Sequence, residues 1–343
     1  SLHHIPDRDR DFGRVRMWGT FGWIAVGLAM GHWLANQHMP ADPNASSEII
    51  TKVLAAGKAD AFKLSAILGA AMGLFCLFLP NTPPSKKNEK NAFMGALGCV
   101  KHQPLITLFL VAVPISCIHQ FYFVHTETFL TAKQIEAPEF FKTVFGAGGG
   151  GLMTIGQMSE LFILGAITLI AKKTARKWLL IAGIIAYGLR MALFAYADQI
   201  PLPTMVTLLT GIALHGFCFG CFIFVAYMVV DEETPNDVRA SAQNLFNLVI
   251  IGIGVIVGSK IAGYVSEWAK TGDTTDYTKL FSVPMWAALA CLIFVLALYP
   301  NKSLAVETGP AGSETDSEPE NSDDESTAED PETKESDESE SEN

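Results

Sequence analysis

The sequence predicts an all-α, multi-pass membrane protein. Three observations carry this expectation. Apolar runs of spanning length recur eight times. Only 17% of the 343 residues are charged, against 50% hydrophobic. Lysine and arginine are shared unevenly between the segments that join the runs. An ordinary soluble domain carries charge on roughly 25% of its residues, and eight long apolar runs cannot all be buried cores in a chain of this size. The totals hide an asymmetry. Residues 307–343 hold sixteen acidic residues and one lysine, whereas residues 1–306 hold 23 basic and 19 acidic residues. The body is greasy and slightly basic, and the pI of about 5.2 describes the tail.

In chain order the runs are Met17–Ala35, Phe62–Leu79, Pro104–Val124, Gly150–Ala171, Trp178–Ala197, Val206–Val230, Leu245–Val265 and Leu280–Tyr299. Each approaches the roughly 20 residues that cross about 30 Å of hydrocarbon as a helix. A helix also satisfies its own backbone hydrogen bonds, as the bilayer interior demands. None of the runs alternates with period two, which excludes an outer-membrane barrel. Ser1–Arg16, ahead of the first run, is polar and charged and lacks the pattern of a signal peptide.

Between the second and third runs, Asn81–Phe93 (NTPPSKKNEKNAF) is polar, basic and proline-bearing. It divides the chain into two spans within residues 1–80, a central cytoplasmic loop over 81–103, and six spans within 104–300. Met94–Gln103 is expected to form a short interfacial helix. Residues 301–343 are Glu, Asp, Ser and Pro with few apolar side chains, a composition that stays disordered. With the N-terminus inside, fifteen lysines and arginines fall on inner segments, among them Arg8, Arg10, Arg14, Lys86, Lys87 and Arg176, and seven fall on outer ones, including Lys52 and Lys133. That excess places both termini on the cytoplasmic side of an inner membrane.

Small residues crowd several spans. Gly27-x-x-x-Gly31 and Gly254-x-x-x-Gly258 allow helices to approach closely in lipid, where packing drives association. The cluster Gly146–Gly151 lacks the Lys-Ser/Thr of a phosphate loop and reads as the flexible start of a span. Cys218-x-x-Cys221 lies inside an apolar run, so its cysteines read as small packing residues.

Polar side chains inside spans are costly, about 2.5–3.5 kcal/mol for an ionised one, and they point to function. They are His119, Gln120, His125 and Glu127 in or just past the third run, Gln157 and Glu160 in the fourth, Arg190 in the fifth, His215 in the sixth and Lys260 in the seventh. Gln157 and Glu160 are three apart and share a helix face. Glu160 sits midway along its span, where a carboxyl can take and release a proton, or form a fixed ion pair with Arg190 that holds two helices together. Lys260 lies near a span end and can snorkel. The histidine spacing supports no metal site. Trp18, Trp23, Phe121, Phe123, Phe217, Phe219 and Phe222 accompany Thr20, Gln120 and His215. Aromatic faces beside a few hydrogen-bonding groups suit a flat, polar, uncharged solute such as a base with a sugar, and equally suit core or lipid-facing packing.

Four stretches, Arg16–Trp23 (RMWGTFGW), Gln157–Leu164 (QMSELFIL), Gly188–Asp198 (GLRMALFAYAD) and Pro235–Gln243 (PNDVRASAQ), resemble, in order and spacing, the nucleoside:proton symporters of the major facilitator superfamily. The resemblance covers nearly all of residues 12–300. It implies two six-helix bundles with a substrate cavity between them and alternating access by rocking. On that plan the chain holds the last two helices of the first bundle and the whole second bundle, so a fragment lacking four helices is expected. The resemblance further implies that Arg16, Thr20 and Trp23 face the cavity, that Gln120, Gln157 and Glu160 hydrogen-bond the nucleoside, and that His215 and Phe219 line the cavity, with Phe219 stacking on the base. Phe123 stands where the family tends to have an amide. Gly220 stands where members can carry an aspartate linked to proton coupling, which leaves Glu160 to carry the coupling.

The expected function is therefore import of nucleosides by proton symport. The implied partners are a nucleoside, a proton and membrane lipid, with no cofactor, no metal, no nucleic acid and no obligate protein partner. No nucleophile or metal constellation suggests an enzyme. A permease for another small solute, such as a sugar or aromatic acid, and a non-transporting receptor or scaffold are the alternatives.

Overall fold

The computed structural model describes residues 8–38, 45–46, 49, 52–53, 56–57, 59–80, 89–133, 143–144, 149–171, 173–235, 238–272 and 274–301, with the side chains of 8–16, 89–93, 149–150 and 168 excepted. The expected acidic tail from residue 302 on, the centre of the cytoplasmic loop (81–88), the glycines at 146 and 148 and the Arg16 side chain lie outside these described residues.

Nine helices are found among the described residues: α1 (Arg8–Gln37), α2 (Ala59–Cys76), α3 (Glu89–Val100), α4 (Leu105–Ala132), α5 (Gly149–Ile170), α6 (Arg176–Ala195), α7 (Thr204–Glu232), α8 (Arg239–Trp268) and α9 (Tyr277–Leu298). Six of them, α2, α4, α6, α7, α8 and α9, are long and apolar enough to cross a membrane. The first and fourth expected runs fall on α1, of 30 residues, and α5, of 22, about 45 and 33 Å long at 1.5 Å per residue. The chain is thus a multi-pass, helical membrane protein. A small antiparallel hairpin, pairing Lys270 with Thr275 and Thr271 with Thr274, departs from the all-α expectation. Gly272 follows its first strand at φ 64°, a left-handed backbone that glycine adopts without steric penalty.

Helix ends also differ from the runs. α4 extends eight residues past Val124 because Phe129 and Leu130 continue its buried face. The interfacial helix expected from Met94 begins earlier, at Glu89, and α3 packs against the first turns of α8, with Ala96 fully buried. Two spans change pitch midway: α7 is a π-helix over Cys218–Phe224 and α8 over Leu248–Ile253.

The helices from α4 to α9 pack as a bundle. α6 lies along α9 and α4 along α8, while α7 contacts both α5 and α6. At its centre Phe129 (α4), Phe194 (α6) and Phe281 (α9) meet with ring centroids 4.9–5.7 Å apart, distances at which aromatic pairs attract beyond their buried area. α1 packs on α5, where Gly27 lies so close that a β-carbon there would sit 2.8 Å from Thr154. The perimeter is apolar: Phe62, Phe162 and Tyr264 are each more than three-quarters exposed, and no residue of α2 is buried. Such a surface would aggregate in water and suits hydrocarbon.

Hydroxyl and imidazole groups staple the α4–α8 seam. Ser116 Oγ donates to the Ile250 carbonyl at 2.5 Å, His125 Nε2 bonds Ala262 O at 3.0 Å, and Gln120 Nε2 donates to Ser259 Oγ at 3.1 Å. The Ile250 carbonyl lies in the π segment, where the normal helical ladder is broken. A neighbouring hydroxyl supplies a donor there, which lets an irregular helix persist inside a membrane protein.

Candidate functional site

A buried chain of polar groups forms where α1, α5, α6 and α7 converge. Thr20 Oγ1 on α1 donates to Glu160 Oε1 on α5 at 3.1 Å. Glu160 Oε2 faces His215 Nε2 on α7 at 3.4 Å, and Arg190 Nη1 on α6 lies 3.1 Å from His215 Nδ1. A guanidinium can only donate, so His215 Nδ1 accepts. The imidazole is then neutral, with its proton on Nε2, the nitrogen 3.4 Å from the carboxylate. Thr20, Glu160, His215 and Arg190 are at most 5% exposed. In this conformation the polar chain is sealed from the outside.

Local sequence makes this convergence possible. Gly216, next to His215, packs so tightly on Ser159 that a β-carbon would stand 2.5 Å from its backbone, and a β-carbon added at Gly156 would stand 3.0 Å from that of His215. The two glycines let α5 and α7 approach closely. Ser159 Oγ donates to Ala213 O at 2.6 Å, satisfying a carbonyl just before the interruption at Leu214 that separates the first part of α7 from His215.

Arg190 is wholly buried. Its guanidinium carbon sits 4.0 Å from the Tyr122 ring centroid and 5.2 Å from that of Tyr187. Both faces offer cation–π attraction, about 2 kcal/mol or more when desolvated. A fixed ion pair of Arg190 with Glu160 is one of the two readings that the sequence leaves open, beside a proton-handling Glu160. The structure instead sets the His215 ring between them, because the break in α7 brings an imidazole within reach of both.

The other expected residues divide. Gln157, 4% exposed, lies one turn before Glu160, and its Oε1 has no hydrogen-bond partner among the described residues. Phe219 stacks 6.5 Å from His215. Trp23, on the same α1 face as Thr20, is 58% exposed and meets Phe123 edge-on at 5.9 Å. Gln120 is not drawn into the cluster, because its amide bonds Ser259 in the α4–α8 seam. Its neighbour His119, about 100° further round the helix, faces the cluster instead, with Nδ1 2.7 Å from Tyr187 OH and its ring 5.3 Å from His215. His119 was visible in the sequence as a polar residue in a span but was not assigned to the site. Tyr122 and Tyr187 were missed because a tyrosine in an apolar run reads as core. Gly220 is buried against Ile163, with 2.7 Å left for a β-carbon, so this packing leaves no room for a carboxylate side chain there.

A separate cavity of about 380 Å³ opens between α1 and α2, lined by Val26, Met30, Leu64, Ser65 and Leu68 among others. Its walls are mainly apolar and include none of the polar chain.

Comparison with known proteins covers the same body of the chain. The family model described as Nucleoside H+ symporter matches residues 1–303. The putative nucleoside transporter YegT of Escherichia coli K12 is 29% identical over 304 residues, which are 87% of this chain and 66% of that protein. The nucleoside permease NupG of the same organism is 27% identical over 304 residues, 87% of this chain and 68% of that one. The crystal structure of nucleoside transporter NupG superposes with a TM-score of 0.62 at 26% identity, covering 85% of this chain and 68% of that one, and the fold is that of the major facilitator transporters. The chain spans about two thirds of the length of the curated relatives it matches. With the family pattern running through residues 1–303, the chain belongs to the nucleoside H+ symporter family.

Proposed function

We propose that this chain acts as an inner-membrane permease that imports nucleosides by proton symport. The observation that carries the reading is the Thr20–Glu160–His215–Arg190 chain, which links α1 to the bundle through one buried carboxylate. Ionised Glu160 balances the Arg190 cation through the neutral imidazole, and accepts from Thr20. A proton arriving on Glu160 removes the negative charge and weakens the hold of both donors. The α1 contact then loosens, and the loaded carrier reorients. Gln157, with a free acceptor beside Glu160, suits the hydroxyls of a sugar, and Phe219 and Trp23 offer faces for a base. Arg16 is assigned to the same cavity by resemblance. Gln120 reaches the substrate only by releasing Ser259. The charge distribution supports cytoplasmic termini and lipid around the exposed apolar perimeter.

The test is uptake of labelled uridine by cells lacking their own nucleoside carriers. Accumulation should require the proton gradient, and Glu160→Gln should abolish uphill accumulation while sparing exchange. Uncoupler-insensitive accumulation, or unchanged uphill uptake in the variant, overturns the symport reading.

A further inference from the structure

We infer that His119 is the residue that reads the base of the substrate, by donating a hydrogen bond from Nε2 to a ring carbonyl. The inference rests on the nucleoside reading above and adds the group that selects among nucleosides. His119 Nδ1 lies 2.7 Å from the hydroxyl of Tyr187, which is fully buried. A buried phenol proton needs an acceptor, because leaving a buried donor unmet is costly. Among the described residues Nδ1 is the acceptor within reach of that hydroxyl. Tyr187 therefore donates to Nδ1, and this fixes the tautomer with its proton on Nε2. Nε2 makes no hydrogen bond among the described residues, and the residue is not fully buried.

The surroundings specify what would accept. His119 and Phe123 are four apart on α4 and share a face. Phe123 stands edge-on to His119 at 5.2 Å, and Phe219 lies 6.4 Å away. This is a wall of aromatic rings with one fixed N–H in it. A flat heterocycle stacks on such a wall and presents a carbonyl in its own plane. Glu160, which accepts from Thr20 and lies 3.4 Å from His215 Nε2, and Gln157 one turn before it are acceptors, and suit donors such as sugar hydroxyls. Tyr187 is a positioning residue, acting through His119.

The test measures binding to the purified protein by ligand-induced thermal stabilisation and calorimetry. It compares uridine with 2-pyrimidinone riboside, which lacks the 4-carbonyl, and inosine with purine riboside, which lacks the 6-carbonyl. The wild type should prefer the carbonyl-bearing member of at least one pair by about tenfold, the effect of one hydrogen bond worth about 1.4 kcal/mol. His119→Phe should bring that ratio to about one by weakening the carbonyl compound alone. His119→Gln, which retains an N–H donor, should keep part of it, and Tyr187→Phe should reduce it. A wild type that binds nucleosides without discriminating within either pair, or a His119→Phe variant that keeps the wild-type ratio, overturns the inference. A wild type that binds no nucleoside at all overturns the nucleoside reading instead.

Discussion

Replacing Gly216 with alanine tests whether the close approach of α5 and α7 holds the site together. A β-carbon at 216 would stand 2.5 Å from the carbonyl carbon, the carbonyl oxygen and the hydroxyl of Ser159. Two of these atoms are backbone, so no change of rotamer relieves the overlap. The helices must part by about 0.9 Å before the new carbon reaches ordinary contact near 3.4 Å. His215 is the adjacent residue, and its Nε2 already lies 3.4 Å from Glu160 Oε2. A retreat of that size carries the pair beyond 4 Å, outside hydrogen-bonding range, and stretches the 2.6 Å bond from Ser159 to Ala213 O. Overpacking of this kind costs about 1–3 kcal/mol, at roughly 2–4 °C of Tm per kcal/mol for a large domain.

The assay is thermal unfolding of the detergent-solubilised protein together with uridine binding. Gly216→Ala should lower Tm by several degrees and weaken uridine binding, about tenfold for each 1.4 kcal/mol withdrawn from the site. Gly188→Ala is the control, because its β-carbon would meet Ala288 at 3.5 Å, an ordinary contact. A Gly216→Ala protein with wild-type Tm and wild-type uridine affinity would refute the reasoning that this glycine sets the His215–Glu160 distance.

Other outcomes follow from the same geometry. For one proton per nucleoside, a gradient of one pH unit contributes about 1.4 kcal/mol and 100 mV about 2.3 kcal/mol. Together they permit accumulation of several hundredfold, and Glu160→Gln should level at an inside-to-outside ratio near one, read by steady-state uridine uptake. Ser116→Ala leaves the Ile250 carbonyl in the π segment of α8 without its donor, and should cost about 1–3 kcal/mol in a melt. Asp276 caps α9 by accepting from Lys279 N at 3.0 Å, and that backbone donor holds its carboxyl below the ordinary value. A depressed carboxylate stabilises above its unfolded value near 3.9 and loses that contribution as pH falls through the folded value. Wild type and Asp276→Asn should therefore differ by a constant amount in melts from about pH 5 to 7 and converge below about pH 4. Deleting residues 307–343 should leave uridine uptake unchanged, because an acidic run of this composition needs no partner.

The spans were readable from sequence because hydrocarbon thickness dictates their length, and the pair Gln157 and Glu160 because a three-residue spacing fixes a shared face. What the runs did not disclose is where helices break and how they are rotated. A π turn has the same composition as the α turns around it. The groups beside these irregularities lie partly on other helices: the Ser159 hydroxyl bonds Ala213 O at the interruption in α7, the Ser116 hydroxyl bonds Ile250 O in the π segment of α8, and the neighbours of the glycines are known only once the helices are packed. Rotation is the harder quantity for α4, which is apolar nearly all round, so that His119 and Gln120 were equal candidates for the site. The α4–α8 seam decides between them. Ser116, Gln120 and His125 all find partners on α8, and with that face committed, His119, Tyr122 and Phe123 must turn toward α6 and α7. The same constraint explains why opposite charges on α5 and α6 did not meet directly. The arginine is held over the Tyr122 ring by the rotation of α4, and the histidine exposed at the break in α7 completes the distance to the carboxylate. The site is thus a consequence of the seam on the far side of α4. A substitution that loosens that seam, such as Ser116→Ala, should disturb uridine binding as well as stability, although Ser116 bonds Ile250 on α8 and is not among the residues proposed to handle the substrate or the proton.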